Sequence, residues 1–246
     1  MKVRLPEWED RPARADPAGG VSHVDETQRQ LGQIGQALGL SLTVDQSAAL
    51  VQYLDLLERW NSTYNLTSVR DRSGMLHQHL ADCLAVLPPL TRHLGSIPNG
   101  QCAQLLDVGS GGGLPACVLA IMLPRLQVSC VDTVGKKAAF VRQVVGSLGL
   151  ANLKVLHARV ENLRAGPFDV ITARAFSSLI DFTTLTGHLL EAGGAWMAMK
   201  GKTPHDEQAA LPASLQVFHV EPLAVPGLHA ERCLVWIRHR QGLVST

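Results

Sequence analysis

The sequence predicts an α/β fold, a seven-stranded, mostly parallel sheet with helices on both faces, preceded by a smaller helical subdomain. Three observations lead there. From about residue 104 onward, short apolar runs alternate with amphipathic helical patterns, as in strand–helix–strand crossovers. Before residue 100 the apolar spacing is helical, with no clear strand. At the junction, residues 105–116 read LLDVGSGGGLPA, a buried strand entering a glycine turn and then a proline suited to the first turn of a helix.

A chain of 246 residues can bury one sizeable core plus an appendage. No run approaches the roughly 18 apolar residues of a membrane span, and the start, MKVRLPEWEDRPARADPAGG, is too polar and proline-rich for a signal peptide. Cys83, Cys102, Cys117, Cys130 and Cys233 are odd in number and widely spaced, which fits buried thiols in a cytoplasmic protein better than a disulfide framework. The net charge of +1 removes any global nucleic-acid signature, so RNA contacts would have to be local.

In chain order, residues 1–24 offer charges and prolines but little apolar surface, and a disordered tail is expected. Residues 25–100 are expected to form the helical subdomain. Its first helix begins near Val24. A second spans 43–61, with Thr43 and Gln46 as a capping box and Leu50, Leu54 and Leu57 on one face. A third follows Ser73, with Leu76, Leu80, Cys83, Leu84 and Leu87 inward, and is ended by Pro88 and Pro89. After a loop at 95–100 comes the main domain, 101–246. Its strands are read at 104–108, 127–132, 153–157, 169–173, 195–200, 215–220 and 233–239. Helices are read near 114–122, 136–148 and 178–190, with a weak one after Pro204. No convincing helix separates the last two strands, so the sheet should finish in a hairpin with one antiparallel strand.

The glycine turn carries the first chemical signal. A dinucleotide fingerprint wants its third glycine at position 114, which is Leu114. The pattern Asp107, Gly109, Gly111, Gly113 is instead the acidic-x-G-x-G-x-G form, which resembles Rossmann-like methyltransferases that use S-adenosylmethionine (SAM). Asp132 ends the second strand, where a carboxylate can accept from ribose hydroxyls; capping the next helix is the competing role. Val160 and Glu161 follow the third strand at the ligand-binding edge, although Glu161 reads nearly as well as a solvated carboxylate. Arg174 leaves the fourth strand where cofactor and acceptor would meet, and its guanidinium suits a carboxylate, phosphate or base unless it pairs with a structural acid.

Absences narrow the acceptor. The Pro-Pro-aromatic motif of exocyclic-amine methylation is missing, and no cysteine lies between Cys130 and Cys233 to serve cytosine C5 chemistry. A ring nitrogen is favoured. Arg70, Arg72, Lys136, Lys137, Arg142, Lys200 and Lys202 sit near sheet-edge loops and could meet phosphate, although a solvated surface is the default for each. His77 and His79 face different sides of a helix, and a structural hydrogen bond between His79 and Asp82 is the simpler reading of that pair. No metal-ligand spacing, P-loop or GxSxG occurs.

Together, WNSTYNLTSVRD, HLADC, LLDVGSGGGLP, VDTVGKKAAF, ARVENL, ITARAF, MKG and ERCLVWI resemble, in order, the RsmG (GidB) family of 16S ribosomal RNA guanine-N7 methyltransferases, over roughly residues 27–239. The resemblance implies a Rossmann-like SAM-dependent methyltransferase with SAM as cofactor and 16S rRNA or the small ribosomal subunit as partner. Guanine 527 is that family's usual target; a cytoplasmic monomer without metal is expected. It places SAM against Gly109, Leu114, Val160, Glu161 and Arg174, and the substrate near Asn65, His79, Asp82 and Lys200. Ala116 stands where the family usually has glycine, and the first two dozen residues have no counterpart. Because guanine N7 carries a free lone pair, in-line transfer needs no general base, and none is assigned. Two alternatives remain open: a small-molecule methyltransferase, which the modest net charge would suit, and a non-catalytic SAM-binding ribosome-assembly factor.

Overall fold

The computed structural model describes residues 23–97, 100–174 and 176–240; of the expected tail, all but the last two residues lie outside this range. Before the sheet come α1 (His23–Ala37), α2 (Val44–Tyr64), α3 (Arg72–Met75), a π-helical turn (Leu76–Ala81), α4 (Asp82–Leu84) and α5 (Leu87–Leu94). The capping box of α2 is present: the Gln46 amide donates to Thr43 Oγ1 at 3.1 Å and the Thr43 amide to Gln46 Oε1 at 3.0 Å. This helix runs past Asn61 because that asparagine is buried. Its Nδ2 donates to the Val69 carbonyl at 2.9 Å and its Oδ1 accepts from the Thr67 amide at 2.8 Å, so it anchors the following loop. The helix stops at Asn65, a left-handed cap with φ 50°.

The expected third helix is not one regular α-helix. Residues 76–81 are wound as a π-turn between α3 and α4, and Pro88 and Pro89 open α5, where their missing N–H groups have no helical partner to lose.

The strands are β1 (Gln104–Val108), β2 (Gln127–Asp132), β3 (Leu153–His157), β4 (Phe168–Ala173), β5 (Leu190–Lys200), β6 (Leu215–Pro222) and β7 (Cys233–His239). They form one sheet in the order β3-β2-β1-β4-β5-β7-β6, with β7 antiparallel to β5 and β6. Helices α6 (Ala116–Met122), α7 (Gly135–Leu148), α8 (Leu179–Thr186) and α9 (His205–Ala209) connect them. Strand β5 begins at Leu190 rather than 195, β4 and β6 are longer than read by one and two residues, α7 begins one residue earlier, and two helix boundaries differ for a visible reason. Helix α6 starts after Pro115 rather than at 114, and its first amide, Ala116 N–H, is received by Asp107 Oδ2 at 3.1 Å. The helix expected over 178–190 ends at Thr186, whose hydroxyl donates to the Phe182 carbonyl at 2.5 Å and accepts from Trp196 Nε1 at 2.8 Å. A 3-10 turn then releases Leu190 into β5.

Pleating splits β1 between two cores. Leu105 packs with residues of α2, α6 and α7, and Leu106 and Val108 pack with α8 on the other face. Strand order reverses between β1 and β4, which opens a crevice at their carboxyl ends.

Candidate functional site

At that crevice the glycine turn has one open side and one packed side. Gly109, Gly111 and Gly113 have φ of 71°, 57° and 81°, a region that favours glycine. A Cβ on Gly109 would meet nothing within 4 Å, and one on Gly111 only the Gly109 carbonyl at 4.0 Å. A Cβ on Gly113 would sit 2.5 Å from Cys117 Sγ. From behind, the buried Tyr53 hydroxyl donates to the Gly112 carbonyl at 2.7 Å, so α2 braces the turn. Leu114 is buried beside it.

Two carboxylates organise the turn. Asp132 Oδ2 accepts from the Gly111 amide at 2.9 Å and Oδ1 from the Val134 amide at 2.8 Å. Its bond at the entry to α7 matches the competing structural role, yet each oxygen keeps a lone pair for a hydroxyl donor. Asp107 is fully buried, and its Oδ1 has no partner among the described residues. Burial pushes its pKa up to about 7, opposed by the Ala116 amide and the Arg174 charge and helped by Asp132. Val160 is buried in a 3-10 turn after β3, and the exposed Glu161 pairs with Arg159 at 3.0 Å.

These residues fit SAM by their chemistry. Two glycines open onto free space, Asp132 can accept from ribose hydroxyls, and the orphaned Asp107 oxygen suits a nearby cation.

Beyond β4 lies a cavity of about 380 Å³ lined by His79, Asp82, Arg174, Lys200 and Arg232, with Ser68 and Val69 from the loop after α2. Asp82, its side chain 3% exposed, accepts from Arg232 Nε at 3.0 Å, and Arg174 NH1 stands 3.8 Å from its other oxygen. Burial raises the Asp82 pKa, against the two guanidiniums. His79 does not bond Asp82 as expected, because the π-turn changes their phase. Its Nε2 lies 2.7 Å from Thr67 Oγ1 and its Nδ1 3.3 Å from Arg174 NH1. An arginine donor at Nδ1 assigns the proton to Nε2. Burial, then the Arg174 charge, lowers the His79 pKa to about 4, so the imidazole is neutral at physiological pH. The charge of Arg174, which lines the cavity, lowers the pKa of both Asp82 and Asp107.

The remaining candidates are already engaged or lie outside the cavity. Lys200 Nζ donates to Glu207 at 2.9 and 3.1 Å, so its charge is already matched. Asn65 caps α2 and is exposed. Arg72 is not free for phosphate, because Asp55 at 2.7 Å and Glu58 at 2.9 Å hold it. Lys136 donates to the Tyr64 carbonyl at 2.8 Å. Sequence reasoning misses Arg232 and Thr67. An antiparallel last strand starts at the edge where parallel strands end, and that is the signal that points to Arg232. Among the described residues no cluster of three or more His, Cys, Asp or Glu could hold a metal, and no helix is long and apolar enough to cross a membrane.

A family model described as rRNA small subunit methyltransferase G matches residues 46–236. A protein of Acidovorax ebreus (strain TPSY) named Ribosomal RNA small subunit methyltransferase G is 56% identical over 215 residues, covering 86% of this chain and 95% of that protein. One of the same name from Methylibium petroleiphilum is 57% identical over 212 residues, covering 86% and 94%. Among solved structures, TrmN from Thermus thermophilus superposes with a TM-score of 0.50 at 19% identity, covering 67% of this chain and 53% of that one, a likeness of fold alone.

Proposed function

Because the chain belongs to the rRNA small subunit methyltransferase G family, we propose that it transfers a methyl group from SAM to N7 of a guanine in 16S ribosomal RNA, guanine 527 by resemblance. The observation that carries this reading is the buried Asp82 between Arg174 and Arg232, in a cavity at the carboxyl ends of β4 and β5, on the sheet edge that also carries the glycine turn. When bound, SAM supplies an electrophilic methyl on a cationic sulfur. The residues around it position rather than exchange protons. Gly109 and Gly111 leave room for close backbone approach, Asp132 would offer lone pairs to the ribose, and the buried carboxyl of Asp107 would answer positive charge on its unpartnered side.

On the acceptor side, N7 needs no deprotonation, and a neutral His79 with a pKa of about 4 serves to hold Arg174 and Thr67. Free guanidinium N–H groups can bind the O6 edge or a phosphate while N7 stays available as nucleophile. Methylation leaves the purine cationic, and Asp82 is the anion in that cavity that would balance it. Helices α1 to α5 would wall an RNA cleft on the monomer, which would act in the cytoplasm where ribosomes assemble. Deleting the gene and mapping 7-methylguanosine in 16S rRNA tests the assignment. Loss of the mark, restored by the wild-type gene but not by a Gly111→Trp variant, is expected; persistence of the mark in the deletion strain sinks it.

A further inference from the structure

A second cavity, about 490 Å³, opens beside the first at the same sheet edge. Lys202, Thr203 and His205 after β5 wall it, with Leu223 after β6 and Glu231 before β7. Gly201 and Arg232 line both cavities. The topology explains this sharing. Strands β4, β5, β7 and β6 lie side by side, and since β7 is antiparallel, its first residue pairs with Lys200 at the end of β5 and with Pro222 at the end of β6. The carboxyl edge therefore carries, in sequence, the glycine turn at β1, Arg174 at β4, Lys200 at β5, Arg232 before β7 and Leu223 after β6.

Arg232 forms the partition. Its Nε is committed to Asp82 at 3.0 Å and its NH1 to the Glu231 carbonyl at 2.8 Å, while NH2 has no protein partner among the described residues. With its side chain 27% exposed, the guanidinium is held on one side and open on the other.

We propose that this second cavity holds the nucleotide next to the methylated guanine, with the phosphate that joins the two bound at Arg232. The inference rests on the RNA reading above. A guanine seated against Asp82 is covalently continuous with its neighbours, so the strand leaving that cavity must cross one of its walls. Arg232 is the wall that offers an unused charge-assisted donor, the group a phosphodiester needs. The space behind it has the size of a small-ligand site. Leu223 and Pro222 give an apolar surface for a base face, and Lys202 and His205 give donors for its edge or its far phosphate. Glu231 would repel a phosphate placed deep in the cavity, which favours the Arg232 side.

The test pairs a protein change with an RNA change. Thr203 is exposed on the cavity wall and its side chain meets the Cys233 thiol, so Thr203→Trp fills the space at the cost of that one contact. Substrates are 16S rRNA with an intact strand or with a single abasic site on either side of the target guanine, supplied as RNA and as assembled small subunits. For intact RNA, Thr203→Trp should lower kcat/KM about tenfold, with SAM affinity by calorimetry and the melting temperature unchanged. One of the two abasic sites should lower wild-type kcat/KM by a similar factor, and the two losses should not multiply when combined. Independent losses, or a Thr203→Trp enzyme as active as wild type on intact RNA, overturn the cavity assignment and leave the RNA reading standing. No methylation of any RNA by the wild-type enzyme overturns both.

Discussion

Asp107→Asn isolates the electrostatics of the glycine turn. Asp107 is wholly buried, receives one amide at Oδ2 and has an orphaned Oδ1. Burial pushes its pKa up to about 7, and Asp132 adds to the shift against the Ala116 amide and Arg174. In the unfolded chain a carboxyl of this kind ionises near 3.9. Between those two values the folded state holds the proton and the unfolded state does not, so stability falls as pH rises through the window from about 4 to about 7. About three pH units at about 1.4 kcal/mol each amount to about 4 kcal/mol, absent below pH 4 and complete above pH 7. Asparagine has the shape of the protonated acid and keeps an acceptor for Ala116. The variant should therefore match wild type near pH 4 and be more stable by up to about 4 kcal/mol at pH 8. Urea unfolding of both proteins at pH 5, 6, 7 and 8 measures this. A difference that stays constant with pH would refute the reasoning. SAM binding supplies the converse check: wild-type affinity should rise from pH 6 to 8 as Asp107 ionises toward a cation, and that of the variant should not.

The turn's two sides should separate in a pair of alanine variants. Gly113→Ala places a Cβ 2.5 Å from Cys117 Sγ and should lower the melting temperature sharply, whereas Gly111→Ala, with only the Gly109 carbonyl at 4.0 Å, should cost roughly the 1–2 kcal/mol of a left-handed alanine and lose SAM affinity out of proportion. Equal losses of both properties in both variants would argue against an open cofactor face. Arg232→Ala should leave SAM affinity unchanged while lowering kcat/KM for RNA at least tenfold; a matching loss of SAM affinity would place Arg232 elsewhere in the reaction. Because His79 titrates near 4, kcat at saturating SAM should have no limb near pH 6.5. A limb there that His79→Gln removes would reveal a general base after all.

Much of the sheet is legible in the sequence because it is written locally. The runs at 104–108, 127–132, 153–157 and 233–239 match their strands residue for residue, since short β-rich stretches bounded by turn residues are a local signal in parallel and antiparallel strands alike. Errors arise where a distant contact overrides local preference. Asn61 looks like a helix end until Val69 and Thr67 bond it, and residues 187–190 look helical until Trp196 claims the Thr186 hydroxyl at the end of α8. Pro88 and Pro89 read as a stop because a proline closing one helix and a proline opening another are distinguished only by the conformation of the residues after them. At the candidate site, His79, Asp82, Arg174 and Lys200 do line one cavity. Their partners are invisible in the sequence: Arg232 is 150 residues from Asp82 in the chain, and the π-turn that steers His79 toward Thr67 has no apolar-spacing signature.

The arrangement of charge gives these distant contacts a common reason. In the proposed transfer, positive charge begins on sulfur and ends on the purine. Asp107 and Asp132 stand at the glycine turn, where the charge starts, and Asp82 stands in the cavity on the same sheet edge, where it would arrive. In that reading arginines would hold an anionic strand there, yet bare guanidiniums would oppose a cationic product. Seating one buried carboxylate between Arg174 and Arg232 would let the cavity attract phosphate at its rim while its centre tolerated a methylated, positively charged ring. A local run with the same charges, such as Arg70-Asp71-Arg72, stays near the surface, where water screens it, and does not give the buried triad. The triad has to be assembled from α4, the end of β4 and the start of β7, which only the folded sheet brings together.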